Sequence, residues 1–276
     1  MVTDKQIRFF DENGYLKYGK VLEQGEVGAL IEGLDRVVRV ELEGSDESSV
    51  EFGLGHRHDV KKAGDGPRIL TQYVNMWKRD KTYEKTVRHP LITGIAKTLL
   101  KTPEVRLWHD HIISKPPEDN GHFRFHQDFY GWPLAEPRIL SCWIALDDAT
   151  VENGCMHVIP GSHRDPRFSL EAKRKELEAL EKDPTVKTER AKMEGRHASF
   201  GAPVELKTGE CMFHHCLNFH ATPQNTTNRQ RRALVIIYLA QGVRFYKAQA
   251  PNHVLVPIVE VNDGRPLAGS GFPVVT

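Results

Sequence analysis

The stretch that most restricts the fold of this chain is Phe123-Arg124-Phe125-His126-Gln127-Asp128-Phe129-Tyr130, in which a His and an Asp stand two residues apart among aromatic side chains. In an extended strand, residues i and i+2 project from the same face, so the His126 imidazole and the Asp128 carboxylate can converge on one point. A His from a distant strand would complete a 2-His-1-carboxylate triad, the usual Fe(II) site of non-heme oxygenases. Because a lone His-x-Asp is common by chance, the rest of the sequence must supply that third ligand.

Composition and charge describe a soluble globular chain. The 276 residues are 39% hydrophobic and 27% charged, which is enough apolar material for one large domain. The formal net charge of +1 provides no general attraction to nucleic acid or to an anionic membrane, so neither is expected as a partner. The chain has no run of about 18 apolar residues, and no membrane-spanning helix is expected.

The two termini and the cysteines favour a reduced, cytoplasmic protein. The N-terminus lacks the apolar region of a signal peptide, and the C-terminal Pro273-Val274-Val275-Thr276 is not a peroxisomal targeting sequence. No C-x-x-C pair is present, and the cysteines lie mostly in apolar runs, where a free Cys behaves as a small hydrophobe. Disulfides or a zinc site are therefore disfavoured for the four cysteines, Cys142, Cys155, Cys211 and Cys216.

The first hundred residues predict helical support for a sheet. Thr3-Asp4-Lys5-Gln6 has the pattern of a capping box, and Asn13-Gly14 is expected to end that first helix. Apolar residues between Val27 and Val38 recur at i, i+3, i+4 and i+7, which predicts a second, amphipathic helix. Pro90 lies near the first turn of a third predicted helix.

Between these helices lies a polar segment, residues 44–66, which is expected to be loop with one short strand. It contains His56 and His58, whose spacing could bind a metal, although a solvated loop is the simpler interpretation. The following residues, Ile69 to Trp77, predict a strand.

From Val105 onwards the pattern changes to short strands separated by turns. The stretch from Val105 to Ser114 alternates and predicts one face made of Leu107, His109, His111 and Ile113. Residues Ile139 to Leu146 are nearly all apolar, which predicts a strand that is buried on both sides.

The turn signals and the order of elements define the expected fold class. Asn153-Gly154 is typical of a β-hairpin turn and precedes a strand from Cys155 to Pro160. Helices followed by many short strands predict a mainly β fold, a double-stranded β-helix (a cupin-like jelly roll) buttressed by N-terminal α-helices. We expect a single domain over residues 1–276, with helical support in about 1–104 and the jelly-roll core in about 105–245.

A charged insertion at about 165–198 interrupts the strand pattern. Ser169 is expected to cap a helix from Leu170 to Lys182, whose apolar stripe is thin. Two interpretations remain open, a solvated surface helix or a lid over the mouth of the barrel, since long insertions often form binding loops. As a lid, the segment would contact an anionic or polar substrate through Arg190, Lys192, Arg196 and His197.

The third ligand candidate, His220, lies in Phe213-His214-His215-Cys216-Leu217-Asn218-Phe219-His220, and an Arg follows eleven residues later at Arg231. With these residues included, the sequence resembles the phytanoyl-CoA dioxygenase family of Fe(II)/2-oxoglutarate oxygenases, over about residues 5 to 245. The resemblance lies in the order and spacing of His126-Gln127-Asp128, Asn153-Gly154-Cys155, Ile159-Pro160-Gly161-Ser162-His163, His220 and Arg231.

The resemblance implies Fe(II) bound by His126, Asp128 and His220, and a salt bridge from Arg231 to the distal carboxylate of 2-oxoglutarate. It also implies cosubstrate contacts from Thr222, Trp143 and His109, although relatives more often have an amide at the position of His109. The physics agrees for Arg231, because a guanidinium binds carboxylates bidentately and stays charged when buried. Arg231 has the parity of Ala233, Val235, Ile237 and Leu239, whereas Arg229 lies nearer the turn and Arg232 points the other way.

The implied activity consumes O2 and 2-oxoglutarate, releases succinate and CO2, and hydroxylates a small-molecule substrate. Asp128 is present where halogenating relatives have a small residue, which favours hydroxylation. The alternatives are desaturation, epimerisation or cyclisation at the same site, or a cupin that binds metal without oxidation. The remaining histidines of the core, His157, His163, His214 and His215, are interpreted as packing or turn residues.

Overall fold

The structure is a computed structural model that describes residues 2–43, 56–59 and 71–275. Its α-helices are α1 (Asp4–Asn13), α2 (Gln24–Glu43), α3 (Lys81–Val87), α4 (Pro90–Leu100), α5 (Leu170–Lys182) and α6 (Glu189–Glu194). Its strands are β1 (Tyr15–Lys20), β2 (His56–Asp59), β3 (Thr71–Val74), β4 (Val105–Lys115), β5 (Phe123–His126), β6 (Ile139–Ala145), β7 (Met156–Val158), β8 (Ala202–Val204), β9 (Glu210–His215), β10 (His220–Thr222) and β11 (Arg231–Ala240). None of the helices in these ranges combines the length and the apolar content needed to span a bilayer.

The strands form two antiparallel sheets. The major sheet has the strand order β1-β9-β6-β11-β4-β3-β2, and the minor sheet has the order β5-β10-β7-β8. One face of the major sheet packs against the N-terminal helices around Leu30, Ile92 and Tyr238. The other face shares an apolar cluster with the minor sheet around Trp143 and Val158. The predicted mainly β architecture with helical support is confirmed.

The predicted N-terminal helices form for the expected local reasons. The Thr3 side chain accepts a hydrogen bond from the backbone of Gln6 while the Gln6 side chain accepts one from the backbone of Thr3, which is the capping box. Gly14 ends α1 in the left-handed region with φ 75°. Pro90 is at the start of α4, where its missing N–H costs no helical hydrogen bond.

The segment before β4 differs from the prediction. The short strand expected within 44–66 is present as β2, while the side chains of His56 and His58 and the rest of that segment lie outside the described residues. The strand expected up to Trp77 ends instead at Val74, because Asn75 adopts a left-handed φ of 58° and begins a 3-10 turn. The buried Asp110 carboxylate accepts from the backbone N–H of Trp77, and its pKa is raised to about 7 by burial.

The predicted face of β4 is wrong at one position. Strand β4 pairs regularly with β11 from Lys115 to His109, and the register then shifts between Ile237 and Tyr238. This β-bulge turns Leu107 towards the helices and places Trp108 in the cluster between the sheets. The extra aromatic ring in the space between the sheets is therefore a product of the bulge.

The Asn153-Gly154 turn forms, but it does not make a hairpin. It connects β6 of the major sheet to β7 of the minor sheet, and these two strands do not pair with each other. Gly154 has φ 85°, and a Cβ atom there would lie 2.4 Å from the carbonyl oxygen of Pro223. Glycine is therefore required at this crossing between the sheets.

The insertion covers the outer face of the minor sheet. Helix α5 has the predicted bounds, and Ser169 caps it by accepting from the backbone N–H of Ala172. Phe168 and Met193 of this segment pack against Phe125 and Phe219 of the minor sheet. The insertion thereby buries an apolar surface that would otherwise face solvent.

Candidate active site

The predicted triad comes together on the minor sheet. His220 on β10 is the cross-strand partner of His126 on β5, and their ring centroids lie 4.2 Å apart. Asp128 follows β5 at the start of a 3-10 turn, with its Oδ1 3.4 Å from His126 Nε2 and 3.5 Å from His220 Nε2. Ligand atoms of all three residues lie within 4.8 Å of one another, as binding of a single metal ion requires.

Backbone carbonyl groups set the orientation of both imidazole rings. His126 Nδ1 is 2.8 Å from the carbonyl oxygen of Arg124, and His220 Nδ1 is 3.0 Å from that of Asn218. Because a carbonyl oxygen only accepts, each Nδ1 carries the proton and each Nε2 keeps its lone pair. Two nitrogen lone pairs and a carboxylate oxygen thus point at one place, an arrangement that suits a divalent cation.

Asp128 has two further partners that sequence reasoning did not identify. His214 Nε2 lies 3.3 Å from Asp128 Oδ2, and the Ser141 hydroxyl donates to the same oxygen over 3.4 Å. These contacts leave Oδ1 directed at His126 and His220. Burial raises the pKa of Asp128, but His220, His126 and His214 outweigh it and hold the pKa well below the usual value.

His214 was predicted to be a packing or turn residue rather than a ligand; it is not a member of the triad, but the structure places it beside the triad as a partner of Asp128. It occupies β9 opposite Ser141 on β6, a register that no local pattern in the sequence specifies. The parity of His214 with the inward-facing Met212 is the one feature that could have indicated its direction. The pKa of the buried His220 is lowered to about 3, first by burial and then by the neighbouring His126.

A cavity of about 380 Å³ lies between the sheets and includes all three members of the triad in its lining. It extends along the inner face of β4, β6 and β11, past Trp143, His111 and His109. No lining residue comes from the insertion at 165–198, whereas Asn252, His253 and Val254 line the cavity from the C-terminal region.

Arg231 lies beside one end of this cavity, next to Trp143, and is not itself among the described lining residues. It is fully buried on the inner face of β11, as its parity predicts, and its guanidinium carbon lies 5.5 Å from the ring of Trp143. Its Nη2 donates to the carbonyl oxygen of Gly154 over 3.0 Å, while Nε and Nη1 have no hydrogen-bond partner. Within the described residues no carboxylate forms an ion pair with Arg231. Burial lowers the pKa of Arg231 to about 10, so the guanidinium keeps its positive charge near pH 7.

Two more unpartnered donors belong to the same end of the cavity. The buried Thr222 hydroxyl and the buried Trp143 Nε1 make no hydrogen bond, and both residues line the cavity. Buried polar groups are nearly always paired in folded proteins, so a set of unpaired donors around a guanidinium indicates a missing acceptor. An anionic ligand such as a carboxylate fits this end of the cavity.

Lys115 lies beside Arg231, on the same face of the sheet. It is the cross-strand partner of Arg231, it is fully buried, and its Nζ donates to the carbonyl oxygens of Thr222 and Pro223. Burial and the nearby Arg231 lower the pKa of Lys115 well below its usual value. Sequence reasoning did not select Lys115, because an alternating strand alone does not show which of its ends is enclosed.

His109 lies at the opposite end of the cavity. On β11, its partner Ile237 is six residues from Arg231, roughly 20 Å along a strand. The neighbouring rings include those of His111 at 5.2 Å, Trp108 at 6.1 Å, His253 at 6.3 Å and Trp132 at 6.5 Å between centroids. The structure therefore separates His109 from Arg231, whereas Trp143, the partner of Val235 on β11, lies at an intermediate level.

The residues of the insertion that were expected to face a substrate have other partners. Arg190 is buried and forms an ion pair with Glu176, so its prediction as a substrate contact is wrong. Lys192 pairs with Glu189, and Arg196 stacks on Phe200 at 4.1 Å. The exposed His197 is 2.8 Å from the Ser199 hydroxyl.

Comparisons with known proteins agree with this geometry. The chain is 23% identical over 245 residues to a probable phytanoyl-CoA dioxygenase of Caenorhabditis elegans, covering 86% of this chain and 75% of the relative. It superimposes with a TM-score of 0.75 on the non-heme α-ketoglutarate-dependent carbocyclase SnoK from nogalamycin biosynthesis, at 26% identity and with 100% and 97% of the two chains covered. The epimerase SnoN, solved with Fe3+, α-ketoglutarate and nogalamycin RO, gives a TM-score of 0.71 at 22% identity, covering 99% of this chain and 98% of SnoN.

These relatives and structural neighbours are non-heme, 2-oxoglutarate-dependent oxygenases and related enzymes, which is the class of protein indicated by the triad and the buried arginine. Within that class the assignment is specific, because the sequence model of phytanoyl-CoA dioxygenase (PhyH) matches residues 10–233. The chain belongs to the phytanoyl-CoA dioxygenase family.

Proposed function

We propose that this protein is an Fe(II)- and 2-oxoglutarate-dependent dioxygenase that hydroxylates a small molecule. The observation that carries the proposal is the buried Arg231, whose free donors lie near the same cavity as the triad. A cupin that only stores metal has no use for an unpaired buried guanidinium. In the same proposal, residues 1–276 form one domain, and the two sheets are a double-stranded β-helix with support in about 1–104 and a core in about 105–245.

Each predicted site residue then has a role. His126, Asp128 and His220 would bind the iron, and Arg231, Thr222 and Trp143 would bind the distal carboxylate of 2-oxoglutarate. The bound iron and cosubstrate supply oxidation by O2, with 2-oxoglutarate converted to succinate and CO2. The chain itself orients the two imidazole ligands through backbone carbonyl oxygens, and its apolar walls exclude water.

We assign the His109 end of the cavity to the primary substrate. Burial lowers the pKa of His111 to about 4 and that of His109 well below its usual value, so both rings are neutral near pH 7. No Lys or Arg side chain is among the described residues that line the cavity. Neutral imidazoles beside Trp132 suit an uncharged ring compound with hydroxyl or carbonyl groups better than a phosphonate or an acyl-CoA phosphate.

A second candidate is oxidative ring closure or epimerisation at the same site, favoured by the full-length similarity to the carbocyclase SnoK. The mass of the product separates these outcomes. Hydroxylation adds one oxygen atom to the substrate, ring closure removes two hydrogen atoms and forms water, and epimerisation leaves the mass unchanged.

The test begins without any primary substrate. Anaerobic addition of Fe(II) and then 2-oxoglutarate is expected to produce a visible charge-transfer band, and O2 is expected to yield succinate. Uncharged, hydroxylated ring compounds should stimulate succinate formation more than methylphosphonate or an acyl-CoA. A protein that binds Fe(II) but shows neither the band nor succinate would be a metal-binding cupin.

A further inference from the structure

Besides the apolar contacts of Phe168 and Met193, a buried polar side chain, Arg190 on α6, connects the insertion at 165–198 to the metal-binding strand. Arg190 is 7% exposed, and its Nε donates to Glu176 on α5 over 3.0 Å. Its guanidinium carbon lies 4.3 Å from the centroid of the Tyr130 ring, a cation–π contact. Its Nη1 reaches beyond the insertion.

Arg190 Nη1 donates to the side-chain oxygen of Gln127, the residue between His126 and Asp128. The Gln127 amide, which is 6% exposed, donates in turn to the carbonyl oxygen of Leu217, three residues before His220. One buried amide thus connects the insertion, the segment with two of the proposed ligands and the segment that leads to the third.

We propose that Arg190 is a positioning residue for the metal centre. Gln127 is extended, with φ −117° and ψ 122°, so its side chain projects away from the face that carries His126 and Asp128. A hydrogen bond to Gln127 from behind fixes the orientation of the strand segment in front. The insertion then orients the metal-binding segment, a function that neither of its sequence-based interpretations included. This inference rests on the proposed metal site.

The planar fork of arginine is what this role requires. Arg190 holds Glu176 and Gln127 at once through different nitrogens, in addition to a longer contact of 3.5 Å from Nη2 to the carbonyl oxygen of Phe168. A lysine would keep the charge opposite Glu176, but its single ammonium group cannot reproduce the fork. Arg190→Lys therefore tests positioning while it spares the buried carboxylate.

The experiment compares the affinity for Mn2+, a redox-stable probe of the iron site, in wild type, Arg190→Lys and Arg174→Lys. Arg174 is the matched control, because it forms an exposed pair with Glu178 on the same insertion. Loss of a group that orients metal ligands weakens metal binding by roughly 10- to 100-fold. We expect that loss in Arg190→Lys and wild-type affinity in Arg174→Lys, with the apo-protein unfolding transition measured alongside each.

A double-mutant cycle with Gln127→Met identifies the route. If Arg190 acts through Gln127, then Arg190→Lys adds little to the loss already caused by Gln127→Met. Wild-type Mn2+ affinity in a folded Arg190→Lys protein, or fully additive losses in the cycle, would overturn the proposal. Absence of Mn2+ binding in wild type would instead overturn the proposed function together with this inference.

Discussion

The two ends of the cavity differ in the charge that their side chains present. At the Arg231 end, donors of Arg231, Thr222 and Trp143 have no partners. At the His109 end, aromatic rings and imidazoles dominate. Burial lowers the pKa values of His109 and His111, so both rings are neutral near pH 7 and add no charge to this end. A buried guanidinium without a carboxylate partner is costly, so the Arg231 end suits one constant anionic ligand, whereas an uncharged aromatic wall can be adapted to different substrates.

The largest expected effect comes from the triad between the two ends. His220→Ala should abolish Fe(II) binding and succinate formation, because two ligands cannot hold the ion against water. Titration with Fe(II) under anaerobic conditions and succinate assay measure this. The exposed His122→Ala is the control, and full activity in His220→Ala would remove His220 from the site.

The second-largest effect is expected from Arg231, at one end of the cavity, and concerns the affinity for 2-oxoglutarate. Removing one partner of a buried charge pair costs about 3–5 kcal/mol, so Arg231→Gln should weaken 2-oxoglutarate binding by two or more orders of magnitude, at about 1.4 kcal/mol per tenfold. The charge-transfer band reports the affinity directly. Arg229→Gln, at an exposed position of the same parity, should behave as wild type. A crippled Arg229 or Arg232 variant beside a normal Arg231→Gln would move the role to that neighbour.

A smaller effect on the same ligand is expected from Thr222→Val, which removes only the hydroxyl. A hydrogen bond to a charged group contributes about 1.5–3 kcal/mol, which corresponds to roughly 10- to 100-fold weaker 2-oxoglutarate binding. Thr226→Val is the control, because the exposed Thr226 hydroxyl already donates to the carbonyl oxygen of Glu152. Equal affinities in Thr222→Val and wild type would show that this hydroxyl has another partner.

The smallest effect on 2-oxoglutarate is expected at the other end. His109→Phe preserves an aromatic ring and should leave the affinities for Fe(II) and 2-oxoglutarate within about twofold of wild type. Substrate-stimulated succinate formation should fall in the same variant. A hundredfold loss of 2-oxoglutarate affinity would instead return His109 to the cosubstrate and abolish the distinction between the two ends.

Much of the site could be predicted from local sequence patterns. The i, i+2 spacing places His126 and Asp128 together, and strand parity directs Arg231 into the core and Arg232 towards its ion pair with Asp147. The Ser169 cap and the 3.6-residue periodicity likewise define α5. These features succeed because capping, alternation and periodicity depend on neighbours within a few residues.

The side chains that contact and orient these site residues are determined by long-range packing instead. His214 reaches Asp128 because β9 pairs with β6 in one register, and Arg190 reaches Gln127 because the insertion folds over the outer face of the minor sheet. The bulge that exchanges Leu107 for Trp108 and the crossing at Gly154 depend equally on strands far away in the chain. Register, bulges and sheet choice are set by contacts between distant segments. Local patterns in the chain therefore select the groups that do the chemistry, and the assembled fold selects the groups that hold them in place.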